Sequence, residues 1–361
     1  MKNLKELVAI NSSESGDEII NYLKQKFSQN VQEIQIVKNK ENENKSILVG
    51  INTPLKACYP IILAGHIDTV KPDREKYKTN PFTLTEIDGK CYGLGSIDMK
   101  SFTAIVLDNI GYLKNYPLPI ILALTTDEET DLVCIENVIQ KLKELEIKPT
   151  LSIIGEPTSM QIKTSANGCY EYSVEFFGKS CHSSVINQGI NSICILAKLV
   201  TFIEDEQKKF SSLTSNPGII SGGDIVNRVP DYARLVFDVR STSKDEVELF
   251  MSAVKEKIKQ LELEYESTSK LTKLLEIPPL QNKNNKLITT LSRSLNLDIG
   301  KFSGGCEAGY FQGYCGDAIL FGVGDLNLAH KPNEFVVKAE YQLYSNKLIE
   351  MFELLKNQKM A

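Results

Sequence analysis

A chain of 361 residues is long for one core, so two domains are expected. Hydrophobic residues make up 42% and charged residues 24%, a globular balance, and a net charge of −5 without a basic tract argues against nucleic acid or an anionic membrane as partner. Eight cysteines with no C-x-x-C pair give neither a zinc-ribbon nor a thioredoxin-like signature, and read as reduced thiols, most of them small core residues, of a cytoplasmic protein.

The first 27 residues carry no long apolar core and no small-residue cleavage site, so an export signal is not expected. They read as two short amphipathic helices split by NSSESGDE. No stretch approaches the ~20 apolar residues of a membrane span. Apolar runs at 46–51, 60–67, 119–126 and 151–156 have strand length, and 101–116 and 131–146 have helical spacing. This alternation predicts an α/β fold with a doubly wound sheet, whose sites lie at the carboxyl ends of the strands.

The character changes near 167–168. YEYSVEFFG (170–178) alternates as a strand, 189–209 reads as a helix, and 221–241 as two strands and a turn. A helix at 244–261 and a strand at 263–268 complete a β–α–β–β–α–β order, predicting an α+β sandwich. EIPPLQNKNNK (276–286) reads as the linker back, 317–324 as a strand and 338–357 as a helix. The expected organisation is a discontinuous catalytic domain, 1–167 and 280–361, with an inserted domain at 168–279.

Five clusters fall at or just past strand ends or late in the chain: GHIDTV (65–70), GSIDMKS (95–101), TTDEET (125–130), IGEPTS (154–159) and LAHKPNEF (328–335). Each alone has an ordinary reading. His66 and Asp68 can be a hydrogen-bonded pair, Asp98 a turn cap, Asp127–Glu129 a helix N-terminal turn, and Glu156 a turn residue. Together they offer imidazole and carboxylate donors for two divalent ions: His66, Asp98, Glu129, Glu156 and His330. Asp68 is placed to hold the other nitrogen of the His66 ring, and Glu128 is left beside a ligand as a candidate base.

The order His-x-Asp, Gly-x-x-Asp-Met-Lys, Asp-Glu-Glu, Gly-Glu-Pro-Thr and a late His resembles the dizinc aminoacylase family, which holds acetylornithine deacetylases, succinyl-diaminopimelate desuccinylases and related carboxypeptidases. The resemblance covers essentially the whole chain. It implies a metal-dependent amidohydrolase acting on an N-acyl amino acid, with His66 and Glu156 on one metal, Glu129 and His330 on the other, Asp98 between them and Glu128 as general base. Zinc fits this set, and cobalt or manganese would bind it too. It further implies that the inserted domain is a lid and dimerisation domain of a homodimer, with His182 reaching the partner's site as an oxyanion donor. His182 alone would read as a capping or strand-end residue.

By the same resemblance Asn227 and Arg240 would hold the substrate carboxylate, with Arg228 and Arg234 nearby. The loop FSGGCEAGYF (302–311) would form the substrate loop, with Gly304, Gly305, Cys306 and Glu307. Its GCEA sequence is nearer to acetylornithine deacetylases than to desuccinylases, and a glutamate at 307 would suit a cationic amine, or only order the loop. Two departures stand out: Ser101 where glycine is common, and Cys181 in place of the glycine before the lid histidine. A non-catalytic binding protein and a cysteine hydrolase using Cys306 are the readings from other classes. The first must explain a complete ligand set, and the second lacks a spare histidine.

Overall fold

The computed structural model describes residues 1–38, 44–282 and 285–357. The chain divides into two compact units: 1–165 with 282–302 and 306–361, and 166–281 with 303–305.

In the first unit, strands Ile61–His66, Ile120–Thr125, Leu151–Ile154 and Ala318–Leu320 run parallel in one sheet, in the order 120–125, 61–66, 151–154, 318–320. The first three are buried along their whole length, which is why they read as continuous apolar runs. Asn44–Gly50 pairs antiparallel with Ile120–Thr125, and Glu33–Lys38 adds to it, which makes the sheet mixed. Ile162–Ala166 and Ile299–Phe302 lie on the other side. A small separate sheet joins Thr85–Ile87, Lys90–Tyr92 and Phe335–Val337.

Helix Asp17–Phe27 packs on strand Asn44–Gly50 through Ile19, Ile20, Leu23 and Phe27. The helix expected over 101–116 breaks at Asn109 into Lys100–Asp108 and Ile110–Leu113. The Asn109 side chain donates to the Ile105 carbonyl and so competes with the helical backbone there. Lys100–Asp108 is buried almost throughout, and its start lies close against two strand ends that carry glycine. A Cβ on Gly65 would stand 2.1 Å from Met99 Cε, and one on Gly155 would stand 2.0 Å from Phe102 Cγ. These glycines directly precede His66 and Glu156.

The second unit is an antiparallel four-stranded sheet in the order Leu213–Gly222, Tyr232–Ser241, Gly168–Phe177, Thr268–Ile277, with helices Ser192–Glu206 and Lys244–Tyr265 packed on it. Ala233, Leu235, Phe237 and Val239 alternate inward and meet Ile195, Leu199, Phe250 and Val254 of the helices.

Several boundaries differ from the sequence reading. The segment 263–268 is not a strand: the helix runs on to Tyr265, Glu266 ends it at φ 51°, and the strand begins at Thr268. Of 221–241, only 232–241 is a whole strand. Its partner begins at Leu213, masked by Pro217 and Gly218, where the register shifts at a bulge. An edge position tolerates that proline because it needs no ladder bond there. The helix expected over 189–209 is Ser192–Glu206, capped by Asn191, and the strand expected over 317–324 is only Ala318–Leu320. The linker expected at 276–286 is in part strand, and its residues 283 and 284 lie outside the described residues. The 302–311 loop passes into helix Ala308–Cys315.

Gly155→Ala is expected to lower stability by about 1–3 kcal/mol in urea unfolding, because the added methyl overpacks against Phe102. Combined with Phe102→Leu, the loss should be smaller than the two single losses added.

Candidate metal centre

The parallel register sets the address. His66 is aligned with Thr125, and Ala64 with Ile154, so His66, the 127–129 turn and Glu156 emerge side by side at the strands' carboxyl ends. Asp98 comes from the turn before helix Lys100–Asp108, with a cis peptide to Met99. His330 comes from the loop before Phe335–Val337, in the left-handed region at φ 57°.

Asp98 joins these parts. Its Oδ1 stands 3.0 Å from His66 Nε2, and its Oδ2 stands 3.3 Å from His330 Nε2. His330 Nε2 also lies 2.9 Å from the Glu129 carboxylate. Potential ligand atoms of His66, Asp98 and Glu156 lie within 4.8 Å of one another, as do those of Asp98, Glu129 and His330. Glu128 gathers with His66 and Glu129 in the same way. Two triads sharing one carboxylate, each oxygen turned to a different imidazole, are a donor set that fits two divalent cations.

The electrostatics agree. His66, Asp98 and Glu156 are buried, and Glu128 and Glu129 half-buried. Burial pushes the Glu128 carboxyl well above its ordinary value, and burial with the Asp98 charge pushes Glu156 up to about 8. Burial acts the same way on Asp98, but the His330 and His66 imidazoles outweigh it and hold that carboxyl down. Hydrogen bonds to the Asp98 and Glu129 carboxylates raise His330 to about 10. Four carboxylates facing two imidazoles are short of positive charge, which divalent cations would supply.

A supporting layer fixes the donors. Asp68 Oδ1 lies 3.4 Å from His66 Nδ1, whose nearer neighbour is the Asp68 carbonyl at 3.2 Å. Asp68 Oδ2 accepts from the Glu129 N–H at 3.0 Å. Asp127 turns away: both its oxygens accept from the Cys134 N–H at the start of helix Val133–Glu144. The ordinary reading of the acidic turn therefore holds for Asp127, and leaves Glu128 and Glu129 to the cluster. Ser101 Oγ donates to the Ser96 carbonyl at 2.5 Å, so the serine in place of glycine ties the Asp98 turn.

Glu307 is buried, accepts from Thr125 Oγ1 at 2.5 Å and is pushed up to about 7 by burial, an arrangement that orders its segment. Cys306 is buried and its thiol is pushed far up by burial, which disfavours the thiolate a nucleophile needs. The seven described cysteines are free thiols.

Glu334 and Lys100 had no assigned role in the sequence reading. Buried Glu334 accepts backbone N–H bonds from Gly95, Ile97 and Asp98. Lys100, wholly buried, donates to the Ile10 carbonyl at 2.9 Å. The sequence signal for each is its place within the 95–101 and 328–335 clusters.

His182, Asn227, Arg240, Gly304 and Gly305 belong to the second unit. His182 is exposed, and its Nδ1 accepts from the Ser184 N–H, a cap of the short helix Ser183–Gln188. Cys181 Sγ donates to the Val185 carbonyl. Arg240 Nε donates to Asp238, Arg234 Nε to Ser173, and Arg228 pairs with Asp224, while Asn227 is exposed.

Among the described residues, no helix is long and apolar enough to cross a membrane. The chain is 32% identical over 291 residues to an acetylornithine deacetylase of Buchnera aphidicola, covering 76% of this chain and 75% of that protein. Its fold is similar to a tripeptidase from Staphylococcus aureus, at TM-score 0.81 and 20% identity over 99% of this chain and 98% of that one. It is also similar to a Bacillus subtilis protein described as a dinuclear metal-binding peptidase, at TM-score 0.73 and 13% identity over 99% and 98% of the two chains. Residues 62–353 match peptidase family M20/M25/M40, and the chain belongs to that family of hydrolases.

Proposed function

We propose that the chain is an N2-acetyl-L-ornithine deacetylase of arginine biosynthesis, a cytoplasmic homodimer that converts acetylornithine and water to ornithine and acetate. The observation that carries the chemistry is Asp98, with one oxygen toward each of His66 and His330. In this reading His66 and Glu156 hold one divalent ion, Glu129 and His330 the other, and Asp98 both. The ions are zinc, with cobalt able to take the same ligands.

Two bound ions would acidify a water and polarise the amide carbonyl. The residues do the rest. Glu128, grouped with His66 and Glu129, takes a proton from the attacking water and hands it to the leaving amine. Asp68 keeps the His66 ring oriented. His182 as oxyanion donor, Asn227 and Arg240 as holders of the substrate carboxylate, and Gly304, Gly305, Cys306 and Glu307 as the substrate loop rest on the family resemblance. The likeness to the Buchnera aphidicola deacetylase supports the choice of substrate. For the homodimer, support comes from the edge strand Leu213–Gly222, which exposes Ile219 and Ile220 and has one side free to pair among the described residues. The second unit would then be the lid and dimerisation domain.

The test strips the protein with chelator, restores zinc or cobalt, and assays free amine from acetylornithine, acetyl-lysine, acetylcitrulline, succinyl-diaminopimelate and a dipeptide. Metal-dependent turnover led by acetylornithine is expected. Turnover led by another substrate keeps the chemistry and replaces the substrate with a sibling deacylase or dipeptidase activity. Glu128→Gln should retain two ions per chain and lose about 10²–10⁴-fold in kcat. Full activity in that variant would overturn the assigned base.

A further inference from the structure

Glu334 is a wholly buried carboxylate with no part in the proposed chemistry. Its Oε1 accepts from the N–H groups of Ile97 at 2.6 Å and Asp98 at 3.1 Å, and its Oε2 from Gly95 at 3.0 Å. These are the backbone groups of the turn that presents Asp98. Glu334 follows His330 by four residues, in the loop that presents His330. The Glu334 carbonyl also accepts from the Gly93 N–H, continuing the antiparallel pairing of Phe335–Val337 with Lys90–Tyr92.

We propose that Glu334 is a positioning residue for the metal centre, clamping the Asp98 turn to the His330 loop before any ion binds. The proposal rests on the reading of Asp98 and His330 as ligands. Asp98 must present one oxygen to each of two imidazoles, so a small rotation of its turn would misplace both. The bonds from Ile97 and Asp98 fix that rotation, and the bond from Gly95 fixes the start of the turn. His330 is held in left-handed backbone, and Asn333 is also left-handed at φ 66°. Two such residues need an outside hold, which the strand pairing and the Glu334 carboxylate provide. Glutamine at 334 can offer one oxygen to Ile97 and Asp98 but turns an amide N–H₂ toward the Gly95 N–H. Aspartate keeps the charge but is one methylene too short to span the cradle.

The experiment titrates metal-free protein with cobalt and follows affinity and the visible d–d spectrum for wild type, Glu334→Gln, Glu334→Asp and Phe250→Ala. Phe250, in the core of the second unit, controls for loss of stability alone. Wild type should bind two ions; failure to do so sinks the metal reading itself, not the role of Glu334 within it. Given that binding, Glu334→Gln should weaken it about 10–100-fold and shift the spectrum. Glu334→Asp should fall between, and Phe250→Ala should match wild type. Unchanged affinity and spectrum in whichever Glu334 variant folds would overturn the proposal. Amide hydrogen exchange on metal-free wild type decides independently: Ile97 and Asp98 should be protected like the buried strands, and fast exchange there would refute a clamp that precedes the ions.

Discussion

The centre depends on how a buried carboxylate is satisfied on both sides. Asp98 has an imidazole within 3.3 Å of each oxygen, and its own N–H is bound by another buried carboxylate. Burying charge without partners costs several kcal/mol per ion, so each acid here must be bonded, neutralised or protonated. Asp127 is satisfied by a helix N-terminus, Glu334 by three backbone N–H groups and Glu307 by a threonine. Burial is the main cause of the raised Glu128 and Glu156 carboxyls, and the neighbouring carboxylates add to it. The acids therefore divide: Asp127, Glu307 and Glu334 are held by protein donors and build the frame, while Asp98, Glu128, Glu129 and Glu156 gather where cations would sit.

The frame also explains why the strands end as they do. A helix buried as deeply as Lys100–Asp108 must lie close to the sheet, and Met99 and Phe102 occupy the volume that side chains at 65 and 155 would need. Glycine at both positions lets the helix approach, and the residues that follow, His66 and Glu156, belong to the cluster that could hold an ion. The Asp98 turn sits at the head of that helix, so helix packing and ligand placement are one constraint rather than two.

Much of this was legible in the sequence where burial is complete. Parallel strands buried on both faces are continuous apolar runs, and His66 and Glu156 are visible as polar residues where such runs stop. Legibility failed where a strand had an exposed side. Leu213–Gly222 was hidden by Pro217 at an edge, and Thr268–Ile277, the opposite edge, by Lys270 and Lys273, which break a clean alternation. Glu334 was hidden for a different reason. A glutamate between Asn333 and Phe335 reads as an ordinary loop residue, and its three donors lie 236 to 239 positions away. Local pattern carries no trace of a bond of that separation.

The acidic turn shows how one stretch serves both readings. Asp127, Glu128 and Glu129 are consecutive, and a helix-start explanation accounts for all three in the sequence. In the fold it accounts for only the first. Capping consumes Asp127, and the Glu129 N–H is taken by Asp68, the same residue that stands against the His66 ring. Asp68 thereby couples a histidine of one triad to the backbone of Glu129 in the other, and Asp98 couples the two histidines. With both ends of the 127–129 turn tied to protein, Glu128 stands between them, grouped with His66 and Glu129, where the proposed reaction needs its base.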